Sequence, residues 1–248
     1  MAVDETAGRV FLAPFPTGST LSILDARTGA SLRTVTLGGS IVGLAVDETG
    51  AGVLVETAAP HRYGVSILDP RSGAIRHTTI LGGASIVRAI PLLQPGQTLS
   101  AGLVVDERTG HAFVITGGTN RSGSTLSGHG RVTMLDARSG RVLHTATIAA
   151  FPIAAVVDTR AGRLLVADGT HGPVNAVSVL DTHSGAFVRS VRVRAVGVSF
   201  FMAVPLAVDA HSGRAFVVNR SSNSVSVLAT RSGTRLRSVA LRPAPVAP

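Results

Sequence analysis

Short apolar runs alternate with polar breaks along the whole chain, and the breaks take two recurring forms. In the first, an apolar run ends in Val-Asp and a Gly follows four residues after the Asp. This form appears as Val3-Asp4 with Gly8, Val105-Asp106 with Gly110, Val157-Asp158 with Gly162, and Val208-Asp209 with Gly213. A further copy, Val46-Asp47, has Ala51 at that offset, flanked by Gly50 and Gly52. The second form is Leu-Asp-x-Arg-Ser/Thr-Gly, at Leu24-Asp25 with Gly29, Leu68-Asp69 with Gly73, and Leu135-Asp136 with Gly140. Leu180-Asp181 with Gly185 carries His183 in place of Arg, and Leu228-Ala229 with Gly233 has lost the Asp. The two forms alternate strictly, five of each.

Each break predicts a hairpin turn. An Asp at a strand end accepts hydrogen bonds from backbone N–H groups two or three residues on, and the Gly supplies the positive φ that closes a short connection. The recurrent aspartates therefore read as turn caps, and each repeat holds four strands. In the fifth repeat these run near Ala203–Asp209, Arg214–Asn219, Ser224–Leu228 and Arg235–Leu241. The first strand of each repeat is continuously apolar, which predicts burial on both faces near a central axis. The third and fourth strands alternate, as in Val225-Ser226-Val227, which predicts outer, half-exposed strands. Five meandering four-stranded units predict an all-β fold: a β-propeller of five antiparallel blades around a central axis. The blades fall at about 1–39, 40–83, 84–148, 149–193 and 194–241, with a Pro-rich tail over 242–248. Gly and β-branched residues interrupt every window that would suit a helix.

The repeats also resemble a known family. Ala215-Phe216-Val217-Val218-Asn219-Arg220, followed by the strand Ser224-Val225-Ser226-Val227-Leu228, is similar to the YVTN repeat of YncE-like propellers. Leu164-Leu165-Val166-Ala167-Asp168 and Val177-Ser178-Val179-Leu180-Asp181 repeat the likeness. The resemblance implies a propeller of bacterial or archaeal type, often extracytoplasmic and often of seven blades. It implies no particular activity. Here there are five repeats and no visible secretory signal. The chain begins on an innermost strand and ends on an outermost one. Ring closure is therefore expected from side-by-side packing of the first and last blades, unless the chain is a repeat segment of a larger cell-surface protein.

Composition adds limits. The chain has 248 residues, 45% of them hydrophobic and 4% aromatic, so the core must be aliphatic. With no cysteine, disulfides and thiolate metal sites are excluded. All 23 basic residues are Arg and the formal charge is +9. The arginines spread over five repeats without aromatic interleaving, so nucleic acid is not expected as a partner. No apolar run reaches the length of a membrane-spanning helix. In every outermost strand a basic residue or histidine stands four places before the last apolar position: Arg33, His77, His144, Arg189 and Arg237. There it is expected to discourage edge-to-edge pairing.

Function is expected on the face opposite the Asp-Gly turns, where connections vary in length. Low-specificity candidates for ligand contact there are His61, Arg62, Tyr63, Asn120, Arg121, His129, Asp168, His171, Asn219 and Arg220. The Gly/Ser/Thr-rich stretch Gly117–Gly130 reads as a flexible loop. The apolar connections 84–102 and 194–205 read as a plug or as packing over neighbouring blades. His61, His129 and His171 with Asp168 form the one candidate for a metal or acid–base cluster. No zinc-type His spacing and no nucleophile elbow occur. The leading expectation is a non-catalytic scaffold for a protein, glycan or small ligand, with no catalytic residue, metal or cofactor. The alternative is a propeller-type lyase or lactonase using loop His and Asp at the channel mouth.

Overall fold

The computed structural model describes all residues except 15–17, 51, 60–61, 83–85, 88–97, 119, 123–124, 128, 149–151, 169–174, 194–205, 220–221 and 242–248; at 86–87, 98–101, 118, 120–122, 125–127 and 175 it describes the backbone alone. Five antiparallel sheets succeed one another along the chain. Blade 1 holds β1 (Ala2–Asp4), β2 (Arg9–Leu12), β3 (Thr20–Asp25) and β4 (Ser31–Thr36). Blade 2 holds β5 (Ser40–Asp47), β6 (Gly52–Ala59), β7 (Arg62–Leu68) and β8 (Ile75–Gly82). In blade 3, β9 (Ile86–Val87) lies parallel to the inner edge of β10 (Thr98–Asp106). Then come β11 (His111–Gly118), a ribbon of β12 (Asn120–Ser122) and β13 (Thr125–Ser127), β14 (Gly130–Asp136) and β15 (Val142–Ile148). Blade 4 is β16 (Pro152–Asp158), β17 (Arg163–Asp168), β18 (Asn175–Asp181) and β19 (Phe187–Val193). Blade 5 is β20 (Leu206–Asp209), β21 (Arg214–Asn219), β22 (Ser224–Ala229) and β23 (Thr234–Ala240). First strands of consecutive blades pack side by side, β1 on β5, β5 on β10, β10 on β16 and β16 on β20. The five-bladed propeller expected from the repeats is the fold observed.

Strand burial differs from the expectation in an instructive way. The first strands are only half-buried over much of their length, as at Ile153–Val157, because they line the axis instead of sitting inside a sandwich of blades. The strands buried on both faces are the second ones, such as Val53–Glu56 and Ala112–Gly117. The third strands are largely buried too, despite their Val-Ser-Val alternation. In blades 2 and 5 the serine hydroxyl is paired with one on the fourth strand: Ser66 Oγ lies 2.9 Å from Thr78 Oγ1, and Ser226 Oγ 3.2 Å from Ser238 Oγ. A small hydroxyl paired in this way can be buried at little cost. Only the fourth strands face water along most of their length.

Core packing lies between blades. On each second strand, alternate side chains point to the preceding and the following blade. Phe11, Leu21 and Ile23 of blade 1 meet Val53 and Val55 of blade 2. Leu54 and Ile67 meet Ala112 and Val114. Phe113 and Ile115 meet Leu164 and Val166. Leu165 and Val179 meet Ala215 and Val217.

Between third and fourth strands every blade shifts register at the same place, just before the recurring Leu, at Ile23/Leu24, Ile67/Leu68, Met134/Leu135, Val179/Leu180 and Val227/Leu228. A bulge re-aims the neighbouring side chain. The residue so placed is the basic one of the outermost strand, which the sequence suggested was an anti-aggregation charge. Its stem instead packs on the turn glycine of the next blade. A Cβ on Gly73 would lie 2.8 Å from Ile23 Cδ1 and 3.2 Å from Arg33 Cδ. One on Gly140 would lie 2.7 Å from His77 Cδ2, one on Gly185 2.8 Å from His144 Cδ2, and one on Gly233 2.9 Å from Arg189 Cδ. Residue and glycine thus form a peg and a notch at each of the four junctions within the chain.

Candidate functional site

The two faces of the disc differ in chemistry. On the turn face the predicted caps are in place. Asp25, Asp69, Asp181 and Asp209 each accept two backbone N–H bonds through Oδ1, and Asp4, Asp136 and Asp158 accept one. The turn glycines have φ between 63° and 73°, except in the first turn of blade 2, where Gly50 and Gly52 share the role at 107° and 119°. The N–H and hydroxyl donors at Thr28, Ser72, Ser139 and Ser212 hold Asp25, Asp69, Asp136 and Asp209 below the usual carboxylate range. Asp181 is also held down, burial only partly opposing Ser184 and Arg163. Arg163 pairs with Asp181 at 2.6 Å, Arg9 with Asp25 at 3.6 Å, and Arg76 with Asp69. The recurrent aspartates of this face thus cap their own turns, one oxygen each of Asp47, Asp106 and Asp158 staying buried without a partner among the described residues, while Glu48 and Glu107 accept backbone N–H bonds from the preceding blade.

The opposite face carries the elaborations. Towards that face the second strands of blades 2 to 5 carry, at matching positions, the polar residues Thr57, Thr116, Asp168 and Asn219. Asp168 is buried, and its Oδ2 accepts a 3.0 Å bond from Ser178 Oγ. Its Oδ1 is buried with no hydrogen-bond partner among the described residues. Burial pushes this carboxyl up to about 7, with Ser178 opposing. Asn219 occupies the matching place in blade 5 and donates to Ser224 Oγ at 3.3 Å and Ser226 Oγ at 2.9 Å. The amide in blade 5 thus donates to serine hydroxyls at the place where the carboxyl in blade 4 accepts from one.

On the other side of blade 3, the buried Tyr63 packs in the core shared with blade 2. Its hydroxyl is pushed up by burial first and by the charge of Glu56 second. Glu56 is fully buried. Sequence reasoning passed over it; the signal was a carboxylate inside the apolar run Val53–Ala58. Gly43 makes room for it, since a Cβ there would collide with Glu56 Oε2. Blade 3 is therefore flanked by two buried acidic groups, Glu56 towards blade 2 and Asp168 from blade 4. It also bears the β12–β13 ribbon, paired Asn120 with Ser127, Arg121 with Leu126 and Ser122 with Thr125. The stretch expected to be a flexible loop is thus partly a two-stranded ribbon.

Of the remaining candidates, Arg62 and His129 are exposed. Asn120 and Arg121 sit on the ribbon's first strand. His61, His171 and Arg220 lie outside the described residues, and with two of its members there the proposed His–Asp cluster is not assembled from described residues. Among the described residues no group of three or more His, Asp or Glu is arranged to hold a metal ion. No described helix is long and apolar enough to cross a membrane.

No family model matches the chain, and no curated protein sequence matches it. Solved structures do. A chain in the crystal structure of a nidogen/laminin complex superposes with a TM-score of 0.51 at 14% identity, over 97% of this chain and 78% of that one. That likeness establishes the fold.

Proposed function

We propose that this chain is a non-catalytic propeller of the YVTN type, with residues 1–241 as one domain and 242–248 as a tail, that holds a protein partner on its variable-loop face. The observation that carries the reading is the difference between the two faces. On the turn face the cap carboxylates are engaged by their own loops. On the other face, blade 3 alone among the described residues has gained a ribbon, over a rigid scaffold. The similarity to a propeller solved within a protein complex agrees with this reading. The test is affinity capture with the immobilised chain. Replacing Asn120–Ser127 by a two-residue Asn-Gly turn is expected to abolish partner retention. Arg27→Glu and Arg71→Glu on the turn face are expected to leave it unchanged. The reverse pattern overturns the assignment of the face.

One observation favours a second reading, an enzyme of the propeller lyase or lactonase type. A carboxyl raised to about 7 is poised to give or take a proton near neutrality. Turnover of a lactone with a pH profile that inflects near this value, lost in Asp168→Asn, would select that reading.

A further inference from the structure

The four junctions within the chain share one pattern, and its two unused halves stand at the ends of the blade series. On the side of blade 1 that faces away from blade 2, Val10, Leu12 and Leu24 are partly exposed. Their counterparts at the four junctions, such as Val53, Val114, Val166 and Leu228, are 0–1% exposed. On the far side of blade 5, Phe216 and Val225 are partly exposed, whereas Phe11, Leu54, Phe113 and Leu165 are 0% exposed. Val239 is 41% exposed, although its counterpart Ala146 is buried.

The peg and notch repeat the contrast. A Cβ on Gly29 of blade 1 would meet nothing within 4 Å, unlike one on Gly73, Gly140, Gly185 or Gly233. Gly29 is an open notch, and its φ of 71° matches the occupied ones. Arg237 of blade 5 pairs with Val227 in the register that Arg33 shares with Ile23. It is an exposed peg.

We propose that these two faces are complementary halves of a head-to-tail interface between copies of this chain. Blade 5 of one copy packs on blade 1 of the next, with Phe216 and Val225 against Val10, Leu12 and Leu24 and the stem of Arg237 over Gly29. The second copy is the occupant the surfaces specify, because each face already has the shape and residues of the half-junction it would complete. The interface is heterologous, so each copy offers one face of each kind and assembly grows by addition.

Gel filtration with light scattering on the full chain tests this. The mass is expected to be 25.3 kDa at high dilution and to rise to multiples of it with concentration. Val10→Asp blocks the blade 1 face and Phe216→Asp the blade 5 face. Each variant alone is expected to stay monomeric, and an equimolar mixture to form a dimer that grows no further, through the two intact faces. Circular dichroism melting checks that both variants fold. If either fails to fold, Arg237→Glu on the exposed strand is expected to weaken self-association without moving the melt. The proposal is overturned if the wild type stays at 25.3 kDa at every concentration, whether its own end blades meet or a blade from elsewhere covers them. It is equally overturned if the mixture associates no more than its components, or if association ignores all three substitutions.

Discussion

Asp residues do opposite things in this protein according to where the chain puts them. The turn caps Asp25, Asp69, Asp136, Asp181 and Asp209 have depressed pKa values, so their stabilisation is complete above the unfolded value near 4 and is lost as pH falls through the folded values. Asp168 is raised to about 7, so the unfolded chain ionises it first. Stability is therefore drawn down as pH rises from about 4 to about 7, and is flat in this respect above. Asn219 holds an amide at the matching place in blade 5, where Ser224 stands opposite it in place of Ala176. Asp168→Asn is expected to raise unfolding free energy above pH 7 by ~3 kcal/mol and to leave it unchanged near pH 4, as read by urea denaturation at the two pH values. The notch glycines give a second contrast at this scale. Gly29→Ala meets only the cost of a left-handed conformation, ~1 kcal/mol. Gly140→Ala adds collision with His77 and Thr79 and is expected to cost at least about twice that. Denaturant midpoints of the two variants make the comparison.

Among the strands, stability resides where two blades share a core. Phe113 is wholly buried between blades 3 and 4, and Phe113→Ala is expected to cost about 3–5 kcal/mol. Phe216 holds the same strand position in blade 5 but is partly exposed, so Phe216→Ala is expected to cost a small fraction of that in the dilute monomer. Chemical denaturation of both at low protein concentration checks the difference. The strand order, the turns and the number of blades were legible in the sequence because Asp and Gly act locally: a cap and a positive φ need only three or four neighbouring residues. Burial was less legible. The run Ile153–Val157 looks like a strand with two covered faces, but it lines an axis, and only the assembled disc defines that axis. The serines of Val-Ser-Val look exposed until the fourth strand supplies a hydroxyl. The candidate site was least legible of all. Glu56 is hidden because Gly43, which makes room for it, is distant in sequence, and the peg residues because a bulge turns them towards the next blade.

At the scale of the whole molecule, among the described residues each of blades 2, 3 and 4 shares a core on two sides and each of blades 1 and 5 on one. In an array with nearest-neighbour coupling the end units open first. Amide hydrogen exchange is therefore expected to be slowest in β6, β11 and β17 and faster in β2 and β21, when measured by mass spectrometry at concentrations low enough to keep the chain monomeric. The offset of peg and notch, with the side chain always on the earlier blade and the glycine always on the later one, has a consequence for how such a chain can change. Any whole repeat copied in tandem arrives with a hook for its successor and an eye for its predecessor. Gene duplication can thus lengthen or shorten the series by complete units while every seam stays matched, and no compensating substitution is required at the new joint.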